Sequence, residues 1–362
     1  MKVMIPPHGH LCWRTGSCIS PPLTRKLLCL FMVTLLTACL KQPNADDIWQ
    51  NYLSRLGYVL SQDFEIDRPS LATVNKPKPI LTQSEVTISV LELANLQQCE
   101  LGRLIAHRNS SLGKLAVPSQ RLVYHLQFIQ LAPVCIAKLN EGALKDKLTL
   151  ALNEKIRNAY QAFTEFLSHD NTLSRILFVN GKSLKLPTMH NGLSETSLAL
   201  QSLLQIKHKV MTRDWHAIDV AEIEQSLALL HSSTLINQYI YSLIVYQNYI
   251  NETNNTLEPL IDDAKCQSKR NNQRVEILLN VFNKYFLTDI QTYGSQLRTI
   301  QFELGVTIED LFTDTHYASM LHHAFNDDIG TLAQQNLIAI KRHVAWWKQV
   351  VESCGETRTL VR

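Results

Sequence analysis

Residues 275–304 read VEILLNVFNKYFLTDIQTYGSQLRTIQFEL, and the spacing of apolar residues in this stretch decides the fold class. Val275, Leu279, Phe282, Phe286, Ile290, Tyr293, Leu297, Ile300 and Leu304 follow one another at steps of three and four. Side chains at that spacing share one face of an α-helix, whereas a half-buried strand would alternate. The stripe persists for eight turns. At ~1.5 Å per residue it predicts a helix about 45 Å long.

The same period extends in both directions. Towards the C-terminus, Leu337, Ile340, Val344, Trp347 and Val351 predict a last helix that stops near Cys354-Gly355, where glycine suits a C-cap. Trp347 is in phase with this stripe; Trp346 is out of phase and expected to be partly exposed. Towards the N-terminus, helices are predicted over roughly 234–252, 219–231 and 193–211, and Leu144, Leu148, Leu152, Ile156, Tyr160, Phe163 and Leu167 form another long stripe. A helix opening at Ser119 after Pro118 carries Leu122, Leu126, Ile129 and Ile136, with a kink expected at Pro133. Earlier still, Leu93, Leu96, Leu101 and Leu104 mark a helix from Ser89 to His107. Ile48, Tyr52, Leu56 and Val59 mark the first one, with Asp46 or Asp47 as its cap. Residues 61–85 hold Pro69, Pro77 and Pro79 and read as an extended connector. One segment breaks the pattern. Ile176-Leu177-Phe178-Val179, Asn180-Gly181 and Lys182–Leu186 predict a small β-hairpin at about 175–187, because Asn-Gly favours a two-residue turn. The expected fold is all-α, an elongated multi-helix bundle bearing that one hairpin.

The first forty residues carry a different signal. Arg25 and Lys26 precede the uninterrupted apolar run Leu27–Leu36, which fits a signal-peptide core and is too short to span a bilayer. Leu36-Thr37-Ala38-Cys39 follows at once and resembles the bacterial lipobox. In that motif small residues admit the peptidase, and the cysteine thiol is acylated to become the new N-terminus. The expected organisation is therefore a signal segment over 1–38, of which 1–23 looks like a start assigned too far upstream. Residues 39–85 then form the lipid anchor, first helix and proline-containing connector, and 86–362 the helical body.

Processing also decides the charge. The chain has 35 Lys+Arg against 32 Asp+Glu, but Lys2, Arg14, Arg25 and Lys26 lie in the discarded part, which contains no acid. The remainder is close to neutral, so nothing favours phosphate-backbone binding, and nucleic acid is not an expected partner. Cys12, Cys18 and Cys29 also fall in the discarded part. Cys99, Cys135, Cys266 and Cys354 remain besides the anchor, and in an oxidising compartment four such thiols read as two disulfides. Three pairings are open. Cys99 and Cys135 lie at similar depths below the turn near Gly113, so antiparallel helices would bring them level. That favours Cys99–Cys135 with Cys266–Cys354, each contributing on the order of 3–4 kcal/mol.

Several of these features occur together in one known family. The lipobox, Arg108-Asn109-Ser110-Ser111-Leu112-Gly113-Lys114, Ser119-Gln120-Arg121-Leu122, Cys135 and a tryptophan-bearing last helix ending Cys354-Gly355 are similar to a lipoprotein family of gammaproteobacteria, the domain of unknown function 3080. The resemblance covers nearly the whole processed chain. It implies an envelope location and a body that folds as one unit, and it transfers no site residues.

The polar connector from Arg108 to Arg121 is the strongest candidate site. Arg108, Asn109, Ser110, Lys114 and Arg121 crowd donors around a helix–helix turn and could receive a small anionic group. The structural reading of the same residues is that they cap helix ends. His316, His322, His323, Asp327 and Asp328 are dense but match no metal-ligand spacing, so no metal is expected. Gly181-Lys182-Ser183 lacks the earlier glycine of a phosphate loop, and no HExxH or GxSxG pattern occurs. No cofactor is expected. The sequence favours a non-catalytic envelope lipoprotein, attached to the membrane by lipid on Cys39 and binding an envelope protein or a small anionic ligand. Leu40, rather than Asp, follows the anchor cysteine, which favours the outer membrane with the body facing the periplasm. The competing expectation is a hydrolase or transferase acting on cell-wall or lipid material through residues 108–121.

Overall fold

The computed structural model describes residues 42–67, 69, 88–186, 190, 192–266 and 272–353. Cys39, the signal segment, most of the proline-containing connector and Cys354 lie outside the described residues. Residues Pro43–Arg362 belong to one compact unit, and its described part is helical nearly throughout. In chain order the helices are α1 (Ala45–Leu60), α2 (Val90–Ala94), α3 (Glu100–Asn109), α4 (Ser111–Lys114), α5 (Pro118–Ala137), α6 (Ala143–His169) and α7 (Asn171–Leu177). They continue with α8 (Leu193–Thr212), α9 (Ala221–Leu230), α10 (Leu235–Leu257), α11 (Ile261–Ala264), α12 (Asn272–Val281), α13 (Thr292–Phe312), α14 (Ala318–Phe325) and α15 (Leu332–Ser353). No helix among the described residues is long and apolar enough to cross a membrane.

The stretch with the longest apolar stripe forms one continuous helical path, but not a uniform one. Between α12 and α13, Phe282–Gln291 is wound as a π-helix. Leu278, Phe282, Phe286 and Ile290 are all buried at successive steps of four. Four residues overshoot a turn of 3.6, so an α-helix would carry such a run progressively off its seam. Wider winding keeps it facing the core.

The first helix, separated in sequence from the body by the proline-containing connector, is part of the same core. Trp49, Tyr52 and Leu56 are fully buried there. Its N-cap is Asn44 rather than Asp46 or Asp47. The Asn44 side chain accepts from the Asp47 amide at 3.0 Å, and Asp47 accepts in return from the Asn44 amide at 3.1 Å.

Two other expectations are corrected. The hairpin at about 175–187 does not form. Asp170 caps α7, accepting from the amides of Thr172 and Leu173, and Leu173, Ile176 and Leu177 then bury at helical spacing. Gly181 does take a positive φ of 73°, but it turns the chain out of a helix. The segment that follows pairs with the residues just before α1 instead. Leu186 N–H donates to Pro43 O at 3.0 Å, and a single bridge joins Asn44 to Lys185. The predicted helix over 89–107 is divided into α2 and α3, and Cys99 sits at the N-cap of α3.

A smaller core lies beside the main one. Leu96, Leu101, Ile105, Phe128, Ala132, Cys135, Leu148 and Ala151 from α3, α5, α6 and the turn before α3 form it. The Cys99–Cys135 disulfide staples it, with Cα atoms 5.7 Å apart. Cys266 is also disulfide-bonded. Its amide donates to Ser353 Oγ at 3.0 Å, which sets it beside the residue preceding Cys354.

Candidate functional site

The polar connector is a compact corner in which donors are turned onto the backbone. Ser110 Oγ accepts from the Gly113 amide at 3.1 Å and donates to His107 O at 2.7 Å. Arg108 donates to Gly113 O, and its guanidinium lies over the Tyr124 ring, 5.8 Å from the centroid. Arg121 Nε donates to Ala116 O at 2.9 Å. Helix ends leave amides and carbonyls without intrahelical partners, and these side chains satisfy them. Arg108, Ser110 and Arg121 therefore come together as capping groups. Asn109 and Lys114 project to solvent on the same corner.

Beneath the corner, Lys155 Nζ packs over Tyr124 at 5.0 Å and Phe128 at 5.2 Å. Burial lowers the pKa of this ammonium. His125 is pushed down to about 4, by burial first and then by the Lys155 charge. The imidazole is therefore neutral, bonded to Lys155 O at 2.8 Å.

The histidine–aspartate cluster is split up. His322 pairs with Glu309 at 3.0 Å and Asp328 at 3.4 Å, while Asp327 receives two bonds from Arg298. His316 instead packs on Tyr317. Among the described residues no three His, Cys, Asp or Glu side chains converge as a metal site would need. A cavity of about 350 Å³ lies between the end of α13 and α14, lined by Glu309, Asp310, Ser319 and His322 among others. Its Glu309 carboxylate is already bonded to His322 and, at 3.0 Å, to Asn326.

The closest-knit polar constellation was not legible as a site in the sequence. Tyr52, Asn254, His343 and Trp347 meet in the main core, although up to 295 residues separate them in the chain. Tyr52 Oη lies 2.8 Å from His343 Nε2, Trp347 Nε1 3.0 Å from the same nitrogen, and Asn254 Oδ1 2.8 Å from His343 Nδ1. The proton positions follow from the inventory of donors. An indole nitrogen only donates, so Nε2 is the acceptor and Nδ1 carries the proton. Nδ1–H then donates to Asn254 Oδ1, and the Asn254 amide donates to Ala339 O at 2.8 Å. His343 is completely buried, and burial pushes its pKa down to about 3. The group is neutral, saturated and sealed by Phe282 and Phe286 of the π-helix. It ties α1, α10 and α15 together.

Trp346 corrects the expected buried face of the last helix. It is buried, 7% exposed, and packs edge-on against Trp347 at 5.0 Å. Trp347 and Val351 are buried as expected, and the buried face is wider than the apolar spacing implied, taking in Asn336, Ala339, His343, Trp346 and Val350, while Leu337 and Ile338 face outward. A count of apolar residues omits Asn336 and His343 and so narrows the face.

Fold and site together define a single-unit, all-α body whose polar clusters serve its own framework. A family model described as a protein of unknown function (DUF3080) matches residues 49–357, and the chain belongs to that family. The match runs from α1 past the end of α15, so α1 is included in the family's unit. No match was found among curated proteins or among solved structures.

Proposed function

We propose that this protein is an envelope lipoprotein: a helical body held at a membrane surface by lipid on Cys39, with a non-catalytic binding or scaffolding role facing the periplasm. The observation that carries the reading is the order Arg25-Lys26, Leu27–Leu36, Leu36-Thr37-Ala38-Cys39, directly ahead of the compact unit that starts at Pro43. Two features support a non-catalytic role. Arg108, Ser110 and Arg121 of the 108–121 connector are engaged in capping, and the Tyr52–His343–Asn254 chain is buried and internally satisfied.

Metabolic labelling with a palmitate analogue tests the anchor. The protein should incorporate label and partition into the detergent phase, and Cys39→Ser should abolish both. Unlabelled, soluble wild-type protein would contradict the reading. The scaffolding role is tested at the connector. Arg121→Ala should lower the melting temperature in step with any loss of cellular function. Loss of function with unchanged melting temperature would favour the enzyme.

A further inference from the structure

The corner between α3 and α5 turns apolar side chains outward. Leu112 and Leu115 are each 79% exposed and Val117 is 42% exposed. A single exposed leucine is ordinary, but three aliphatics within six residues at one corner form a patch. The backbone holds them there. Leu115 N–H donates to Leu112 O at 3.0 Å, Ser110 caps α4, and Arg121 ties the chain at Ala116 O. Gly113 sits so close to the end of α3 that a Cβ would lie 2.3 Å from His107 O. The tip is built to keep these residues in solvent.

The stretch of chain that forms the tip carries charge of one sign. Residues 101–140 contain Arg103, Arg108, Lys114, Arg121 and Lys138 and no Asp or Glu, in a chain whose processed part is near neutral. Arg103 bonds to Glu100 on its own helix, whereas Arg108 and Arg121 bond to backbone carbonyls. Lys114 stands between the two leucines.

We propose that this tip docks on an anionic phospholipid surface, with Leu112, Leu115 and Val117 entering the headgroup–acyl boundary and Lys114 meeting lipid phosphates. A small soluble anion would engage Lys114 and leave the leucines in water. An uncharged apolar surface would offer nothing to the Lys114 ammonium. A negatively charged bilayer satisfies both sets at one face. The proposal deepens the envelope reading and rests on it only for which membrane the tip meets. Phe302 (82% exposed) and Val306 (72% exposed) on α13 offer a second apolar pair, but with Glu303 between them. They lack the matching charge and serve as a control.

The test is vesicle flotation of the processed chain carrying Cys39→Ser, so that no acyl group contributes. It should float with vesicles of phosphatidylcholine mixed with phosphatidylglycerol, and poorly with phosphatidylcholine alone. Added salt should release it. Leu112→Ser with Leu115→Ser should weaken binding on the order of thirtyfold, and both sites are exposed enough for the fold to tolerate polar residues. Lys114→Gln should weaken it about fivefold, on anionic vesicles only. Phe302→Ser should leave it unchanged. No flotation of the parent chain with anionic vesicles overturns the proposal, as does a double-leucine variant that binds equally well or an equal loss with Phe302→Ser. Lipidation itself is judged separately by labelling at Cys39, so failure of the tip and failure of the anchor give different results.

Discussion

The polar centre around His343 and the polar connector at 108–121 use similar side chains in opposite ways. In the centre, four residues scattered across the sequence converge inside the main core, and each satisfies another. In the connector, neighbours in sequence form a corner at the surface, and each satisfies the local backbone. In both, hydrogen-bonding groups hold helices together: all four at the centre, and Arg108, Ser110 and Arg121 at the corner. The difference is what remains accessible: nothing at the centre, and two leucines with a lysine at the corner. Arg108, Ser110 and Arg121 thus serve the corner's own framework, and the contact surface proposed for it is the apolar part of the same segment with Lys114.

The largest expected effect comes from breaking the centre. His343→Ala removes the acceptor for Tyr52 and Trp347 and the donor to Asn254, and leaves a cavity. Denaturant unfolding should show a loss on the order of 4–5 kcal/mol. A loss below about 1 kcal/mol would mean that the chain of bonds contributes little. The small core should respond to its staple instead. Cys99→Ser with Cys135→Ser opens a loop of 36 residues and should cost about 3–4 kcal/mol. Hydrogen exchange should rise in α3 and α5 and stay slow in α10 and α15; uniform loosening would show that the two cores unfold as one.

Acid acts on both regions with the same sign, over different ranges of pH. His343 in the fold protonates at about 3, against an ordinary 6.5. Between those values the unfolded chain binds a proton that the folded chain does not, so stability falls as pH drops from 6.5 towards 3. A single such group gives a slope of up to about 1.4 kcal/mol per pH unit. His125, pushed down to about 4, adds a contribution of the same sign over a narrower range. His343→Gln should flatten the slope; an unchanged slope would assign it to other groups. The smallest effect belongs to the corner. Ser110→Ala removes one cap and should cost about 1 kcal/mol by thermal melting, and a neutral result would remove Ser110 from the framework.

Much of the fold was legible because burial leaves a periodic trace. The stripes over 275–304 and 144–167 and the first helix at Ile48, Tyr52 and Leu56 appear where the spacing put them. The π-helix left its trace in the run of fours Leu278, Phe282, Phe286 and Ile290, but the stripe was read through Leu279, whose step of three to Phe282 hid it. The hairpin was misread because Asn180-Gly181 marks a reversal without specifying what enters it. Asp170, a strong N-cap ten residues earlier, was the contrary signal. The last helix was read with Trp347 and Val351 correctly buried but with too narrow a face, because Asn336, His343 and Trp346 are buried as well. Contacts that join α1 to α15 leave no trace in local spacing, so the polar centre was invisible. The corner's exposed leucines had a cue in the acid-free run 101–140.

In the proposed arrangement the connector's polar groups hold the fold while its apolar tip meets the membrane. Hydrogen–deuterium exchange of the processed protein, free and on anionic vesicles, tests it directly. The predicted result is new protection confined to peptides spanning residues 109–118, with α10 and α15 unchanged. Protection on α13 around Phe302, or none at the connector, would contradict it.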